Sequence, residues 1–417
     1  MNYRNLSYVK SISLLTSGSM LGQIIGFVGS IFMTRLYSAQ EIGVMSTIVA
    51  VTGIFASVIN GRFDYAIVKE QIEENVFALI KLSVIIGIIT SIIVSVFSYG
   101  YFDGIDGFIN PFLSITCVFS ILIIQAFSNV FRSYNNHVRD YKTMTSVIVM
   151  RRLSEEISMI LFGILSCGSI GLLVSRVIGQ YFGMKREIRN IKKHFREILG
   201  VNKRRLIEVF SIHKRQLFYS TPAALMNAAS YSLISLIIGS YFGLETLGVY
   251  SISFAVLGLP LSVISGNVSK VYFGEASREM SDKGNFKHIT LKTLRLLCLF
   301  AVVLFLVLYY LFPIFVPMIY GRKYIDSGAM IKILAPMFTI RFISSALNPG
   351  LVVANKQNLE LAIQVFFVIT IGLLALVCHL FEIDVDTFLT LVSLSYSLIY
   401  IVNLYYIINN SKKTSTL

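Results

Sequence analysis

LSVIIGIITSIIVSVFSYGYF, Leu82 to Phe102, runs twenty-one residues without a charge. Roughly 20 helical residues cross the ~30 Å hydrocarbon core of a bilayer, so this stretch reads as a membrane span. Similar uncharged runs cover Ser11–Thr34, Ile42–Gly61, Gly107–Phe131, Gln216–Leu244, Thr246–Ser269 and Leu296–Gly321. The gaps between runs alternate between basic and neutral or acidic. That alternation is the positive-inside signature of a polytopic membrane protein, and it gives orientation as well as membrane residence.

Composition agrees. The 417 residues are 55% hydrophobic and 14% charged, with a mean hydropathy of +0.74. A soluble chain of this length needs a far larger polar surface. The net charge of +14 is concentrated rather than spread, since Lys185–Arg215 holds eleven Lys or Arg against three Glu. A basic loop between apolar spans is a topology determinant and an anionic-lipid contact, so nucleic acid is excluded as a partner. Cys117, Cys167, Cys298 and Cys378 lie within or beside apolar runs at no ligand spacing, and the five histidines form no H-x-x-x-H pair, so no metal site is expected. No G-x-x-x-x-G-K-[ST] loop is present, and no cofactor is expected. Arg4 and Lys10 ahead of Ser11 imitate a signal peptide. The apolar stretch is too long for one and lacks an A-x-A site, so it reads as a retained first span.

Twelve helices are predicted, at 11–34, 41–61, 80–102, 108–131, 143–166, 169–185, 215–242, 246–270, 293–318, 328–354, 358–380 and 386–409. The basic gaps then share one side with both termini, which are expected in the cytoplasm. Hydropathy alone allows a single span over 143–185, where Arg151, Arg152, Glu155, Glu156 and Arg176 interrupt the pattern. An internal repeat favours two. Gly43-Val44, Ser46 and Ala50-Val51 recur as Gly248-Val249, Ser251 and Ala255-Val256, and Asn129 and Asn136 recur as Asn348 and Asn355. Offsets near half the chain, with the charge pattern in the same sense, describe a parallel repeat, so each half holds an even number of spans. The expected organisation is an all-α chain of two six-helix bundles, 1–190 and 213–417, joined by a basic cytoplasmic linker at 191–212 and arranged around a central cavity. Gly18, Gly22 and Gly26 form a small-residue stripe on the first span that permits close helix approach.

Charges inside spans mark candidate function. An arginine at mid-membrane costs roughly 2.5–3.5 kcal/mol on insertion scales, so it belongs in the protein interior or a wet cavity. Arg341 lies near the centre of the tenth span and Arg176 within the short sixth. On the fifth span, Arg151 and Arg152 precede Glu155 and Glu156 by four residues, the spacing of two helical ion pairs. Arg62 and Asp64 follow the second span. A ring of arginines suits a phosphate-bearing substrate, because guanidinium grips phosphate with two parallel hydrogen bonds. Arg341, Arg176, Arg62, Arg35, Arg151 and Arg152 are the candidates for binding. Asp64, Glu155 and Glu156 are the candidates for ion coupling, with Asp64 first because the other two have an arginine at helical spacing.

Two stretches carry a family resemblance. FMTRLYSAQEIGV (Phe32–Val44) followed by GRFDYAIV (Gly61–Val68) resembles the opening of Wzx-type polysaccharide flippases, whose pattern runs T-R-L-Y-S-P-x-E-[FI]-G and then R-[YF]-[ED]-x-A-[IV]-V. Arg35, Leu36, Tyr37, Ser38, Glu41, Gly43, Arg62, Phe63, Asp64, Ala66 and Val68 fit, while Ala39 replaces the usual proline. RFISSALNPGLVVANKQ (Arg341–Gln357) resembles the tenth-span signature, arginine included. These flippases share a superfamily with multidrug extruders and the lipid II flippase MurJ. The resemblance implies a non-enzymatic transporter in the bacterial cytoplasmic membrane. It would turn an undecaprenyl-pyrophosphate-linked oligosaccharide, an O-antigen or capsular repeat unit, from the inner to the outer leaflet by alternating access. Its partners would be that lipid-linked glycan, the bilayer, a polysaccharide polymerase and a chain-length regulator. Two other readings stay open: a drug or ion antiporter of the same superfamily, and an integral-membrane polysaccharide polymerase or ligase. Against the latter, the outer gaps 103–107, 167–168, 243–245, 319–327 and 381–385 are too short to build a catalytic cleft.

Overall fold

The computed structural model describes residues 3–105, 108 and 110–412, with side chains from Thr16 onward. The Arg4 and Lys10 flank of the first span lies outside the described side chains. The first half contains α1 (Tyr3–Leu36), α2 (Ala39–Ala56), a short α3 (Phe63–Lys69), α4 (Glu73–Asp103), α5 (Pro111–His137), α6 (Tyr141–Ile164) and α7 (Gly168–Tyr181). The basic segment forms α8 (Met184–Glu187), α9 (Phe195–Gly200) and α10 (Lys203–Arg215). The second half contains α11 (Thr221–Tyr241), α12 (Gly243–Pro260), α13 (Gly266–Lys283), α14 (Lys287–Leu306), α15 (Phe312–Tyr320), α16 (Ile325–Leu347), α17 (Pro349–Val353), α18 (Gln357–Phe381) and α19 (Val385–Ser411).

Ten helical stretches among the described residues are long and apolar enough to cross a membrane: Thr16–Leu36, Ala39–Ala56, Glu73–Asp103, Pro111–His137, Lys203–Tyr241, Gly243–Lys283, Lys287–Tyr320, Arg322–Val353, Gln357–Phe381 and Val385–Ser411. Helices α6 and α7 complete six in the first half. They miss the apolar criterion because α6 carries four charges in six residues and α7 has 14 residues. The stretch that hydropathy alone allows as one span is therefore two helices. The chain breaks between them at Ser166 (φ 56°) and Gly168 (φ 60°), left-handed conformations that no α-helix continues through.

Three long helices of the second half carry a π turn, at Gln216–Ser220, Leu261–Ser265 and Val307–Leu311. Each lies within two residues of a proline (Pro222, Pro260 and Pro313). A proline offers no N–H to the carbonyl four residues before it; for Pro222 and Pro313 that carbonyl, of Phe218 and Tyr309, falls within the π turn, whereas the turn at Leu261–Ser265 follows Pro260.

The chain divides into two compact units. One holds residues up to Ser232 together with Gly243–Glu245, and the other holds Leu233–Phe242 and everything from Thr246. Within the first unit α4 packs on α5, α5 on α7, and α6 on α7. Within the second, α14 packs on α16, α16 on α19, and α18 on α19. The third to sixth spans of both halves thus pair in the same order, as a parallel repeat requires.

The basic segment, expected to be a connector, has an apolar core of its own. Ile191, Ile198 and Val209 are buried against Phe63 and Ile67 of α3, Phe77 and Ile80 of α4, and Phe131 and Tyr134 of α5. Lys81 on α4 donates to the carbonyls of Leu199 and Val201 at 2.8 Å each, placing a cation on the C-terminal end of α9. His194 stacks on Phe77 at 5.1 Å between ring centroids. The lysines and arginines are exposed apart from Arg205, which is half-buried between Glu74 and Glu208, while Ile191, Ile198 and Val209 are buried in the apolar core.

Candidate functional site

Five of the candidate residues come together on and beside α6, and two residues that the sequence did not single out complete the cluster. Arg151 leaves α6 toward α8, where a terminal guanidinium nitrogen meets Glu187 Oε2 at 2.8 Å. The same oxygen accepts from Ser128 Oγ of α5 at 2.8 Å, and Arg151 also contacts Ser128. Glu187 is 2% exposed, and its carbonyl accepts from Asn135 Nδ2 at 2.9 Å. One carboxylate therefore ties α5, α6 and α8 together. Glu155 faces the other way and pairs with Arg176 of α7. Arg152 bonds Glu156 at 2.8 Å and lies 3.5 Å from Glu155.

The expectation of two ion pairs spaced by four residues on α6 is thus corrected for one of them. Arg152–Glu156 forms as expected. Arg151 and Glu155 instead take partners on α8 and α7, because α6 is packed on several sides and each side chain meets the neighbour its own face presents. Three arginines balance three glutamates, so the cluster is electrically neutral.

The glycine stripe of α1 makes room for this cluster. A Cβ on Gly18 would lie 2.3 Å from a methyl of Thr145, one on Gly26 would lie 2.2 Å from the guanidinium of Arg152, and one on Gly29 would lie 1.8 Å from Glu156 Oε2. Gly22 faces Ile148 less closely, with 3.3 Å left for a Cβ. Helix α1 therefore lies along α6 backbone to side chain, one glycine per turn, and the polar groups of α6 fit where side chains would otherwise stand. Gly179 of α7 does the same for Glu155.

The remaining candidates lie elsewhere. Arg35 is exposed in the last turn of α1. Arg62 takes a left-handed conformation (φ 62°) ahead of α3, and its guanidinium lies 3.8 Å from the Tyr65 ring centroid. Its Nε is buried without a hydrogen-bond partner. Asp64 is 5% exposed on α3, which is outside the ten apolar stretches. Burial pushes its carboxyl up to about 6, against the lowering influence of Arg62 and Arg132. Arg341 belongs to the second unit, in the C-terminal half of α16, with its guanidinium carbon 5.3 Å from the Phe338 ring centroid.

The first motif is largely a structural joint. Tyr37 Oη donates to the carbonyl of Met159 at 2.7 Å and fastens the end of α1 to α6. Ser38 and Glu41 form a reciprocal capping box that opens α2, with Glu41 Oε2 accepting from the Ser38 N–H at 2.7 Å. Ala39 stands at the first helical position, where the family pattern has proline, and the turn keeps its geometry without it.

Residues 32–329 match the family described as "Polysaccharide biosynthesis protein". The chain belongs to that family. A protein of Klebsiella pneumoniae described as "Uncharacterized membrane protein in cps region" is 23% identical over 382 residues, which is 87% of this chain and 74% of that protein. Among solved structures, the fold resembles the inward-facing conformation of a multidrug resistance MATE family transporter of the MOP superfamily, with TM-score 0.74, 11% identity and 96% of each chain covered. It also resembles the lipid II flippase MurJ in an inward closed conformation, with TM-score 0.72, 12% identity, and 96% of this chain and 87% of that one covered. A MOP superfamily transporter from Pyrococcus furiosus gives TM-score 0.59 at 13% identity, with 97% of each chain covered. These likenesses establish the fold: an all-α polytopic membrane protein of twelve helices in two bundles. The family makes this chain a polysaccharide biosynthesis protein, and the likenesses give it the fold those membrane transporters share.

Proposed function

We propose that this protein flips an undecaprenyl-pyrophosphate-linked oligosaccharide from the inner to the outer leaflet of the bacterial cytoplasmic membrane, with both of its termini in the cytoplasm. The observation that carries the reading is the match to a polysaccharide biosynthesis family across most of the chain, on a fold shared with a lipid II flippase. The glycan is an O-antigen or capsular repeat unit, and a polymerase and chain-length regulator receive it outside.

The arginines take different parts in this scheme. Arg151, Arg152 and Arg176 already hold glutamates, so a phosphate reaches them only by displacing a carboxylate. Arg341 is assigned to the headgroup because its depth in α16 needs an anionic or aqueous environment. Arg35 and Arg62 are assigned to headgroup entry at the ends of the first two spans. Asp64, Glu155 and Glu156 are the coupling carboxylates, with Asp64 first because the other two have an arginine at helical spacing and because burial raises the Asp64 carboxyl to about 6, within reach of proton exchange near neutral pH.

The test is transport of a fluorescent lipid-linked oligosaccharide in proteoliposomes. A pyrophosphate diester carries about two negative charges, so 100 mV, interior negative, favours its outward movement by roughly 4–5 kcal/mol. Flipping is expected to accelerate with that potential, to fall to background in Arg341→Ala, and to recover partly in Arg341→Lys, which keeps the charge and loses the planar fork. A reporter at Gly200 is expected to behave as intracellular. Transport of small organic cations with no movement of the lipid would replace this proposal with the antiporter reading.

A further inference from the structure

Helix α10 has two unlike faces. Leu206, Val209 and Phe210 press into the apolar core shared with α3, α4 and α5. The opposite arc holds Lys203, Arg204, Ile207, Ser211, Lys214 and Arg215, all exposed. Glu208, the one acidic residue of the helix, is taken by Arg204 at 3.5 Å and Arg205 at 3.0 Å. Lys203, Lys214 and Arg215 are therefore left uncompensated by their own helix. Ile207 lies between Lys203 and Lys214 along that arc and is 60% exposed, and Ile212 at its edge is 63% exposed. Orientation in a membrane needs cations near the ends of spans. It does not need them gathered on one helix face and interleaved with isoleucine.

Both ends of α10 are fastened where uncharged runs begin or stop. Before it, the carbonyls of Leu199 and Val201 are held by Lys81, the residue next to the run Leu82–Phe102. After it, Leu217 packs on Gly61, the last residue of the run Ile42–Gly61, with 3.1 Å left for a Cβ there. Between these ends, Arg205 lies 3.6 Å from Glu74 and His213 lies 3.3 Å from Glu70. Thirteen helical residues extend about 20 Å. A helix whose two ends both meet the membrane boundary lies along that boundary rather than projecting from it, which puts its exposed arc at the level of lipid headgroups.

From this we propose that the exposed arc of α10 is a docking surface for anionic phospholipid of the leaflet on which the helix lies. Lysine and arginine at such a surface attract phosphodiester headgroups. Their aliphatic stems, with Ile207 and Ile212, enter the acyl boundary beneath. A soluble acidic ligand fits the charge alone, whereas a lipid surface fits the charge, the isoleucines and the placement of both helix ends. The surface lies wholly within the first unit and needs no transported molecule, so it is independent of the lipid-linked glycan reading.

The chain has no tryptophan, so Ile207→Trp sets a single fluorophore on the arc. The full chain is placed in nanodiscs of phosphatidylcholine and phosphatidylglycerol, with bromine on the acyl chains of one lipid or the other to quench an indole that touches them. Quenching at position 207 is expected to favour brominated phosphatidylglycerol at least about fivefold over its mole fraction, the worth of one Lys or Arg at an anionic surface. Phe300→Trp, on an exposed apolar face of α14, is the control and is expected to be quenched equally by both lipids. Salt at about 1 M, where charges are screened within ~3 Å, is expected to abolish the preference at 207. Lys203→Gln, Arg204→Gln, Lys214→Gln and Arg215→Gln together are expected to abolish it as well. The same change at Lys270, Lys287, Lys292 and Arg295, equally exposed cations of the second unit, is expected to leave it intact. If the four glutamines on α10 prevent folding, the salt titration of Ile207→Trp alone decides. Water-like emission at 207 with quenching by neither lipid would overturn the proposal and turn the arc toward solvent or a soluble partner. Equal quenching by the two lipids, or a preference that outlasts high salt, would also overturn it.

Discussion

Removing the carboxylate of Glu187 isolates the buried pair that joins α5, α6 and α8. In Glu187→Leu, Arg151 is left 11% exposed with no counter-charge, and Ser128 Oγ loses its acceptor. Breaking a buried ion pair from one side costs about 3–5 kcal/mol, because the surviving charge stays desolvated. The first unit is about 230 residues long, a size at which 1 kcal/mol moves the unfolding temperature by about 2–4 °C. A drop of about 6–20 °C is therefore expected for Glu187→Leu, and a comparable drop for Arg151→Met. The double variant removes both charges and leaves two apolar side chains facing each other. It is expected to recover most of the loss, since replacing a buried pair with apolar residues is often neutral or stabilising. The assay is thermal unfolding of the detergent-purified protein, arranged as a double-mutant cycle. Single variants within about 1 kcal/mol of the wild type would mean that water already solvates the pair. A double variant as unstable as the worse single would show that packing around Ser128, not charge pairing, holds the corner.

Three further predictions follow from the same geometry. Asp64 titrates at about 6 in the folded chain against an ordinary 3.8, so its stabilising contribution is complete below 3.8 and is lost as pH rises through about 6. Asp64→Asn is expected to flatten the stability profile across that window and to be more stable than the wild type at neutral pH, by up to about 3 kcal/mol, and an unchanged profile would count against burial as the cause. Gly29→Ala places a Cβ 1.8 Å from Glu156 Oε2, so α1 and α6 must separate or the Arg152–Glu156 pair must break; a loss of about 1–3 kcal/mol is expected, visible as a lower unfolding temperature, and a neutral result would show that α1 does not approach α6 as described. Ser38→Ala removes the acceptor for the Glu41 N–H and is expected to cost about 1 kcal/mol, while Ala39→Pro, which restores the family pattern at the first helical position, is expected to be neutral or stabilising in the same assay.

Membrane residence, the helical class and the parallel repeat were legible in the order of residues because each depends on a one-dimensional pattern. An uncharged run such as Leu82–Phe102 has one stable arrangement in a bilayer, since a helix satisfies its backbone hydrogen bonds internally. Ser38 and Glu41 were equally readable, because a capping box closes within one turn. Two helices over 143–185 were legible from the repeat but not from hydropathy, which is blind to the left-handed residues at 166 and 168 that part them. The partners of Arg151 and Glu155 escaped the sequence. Helical spacing offered each to the other, yet Arg151 found Glu187, thirty-six residues away in a segment that looked like a charged connector. Only the packed structure decides such a pairing, because a buried charge takes the counter-charge its own helix face is pressed against, whatever its place in the chain.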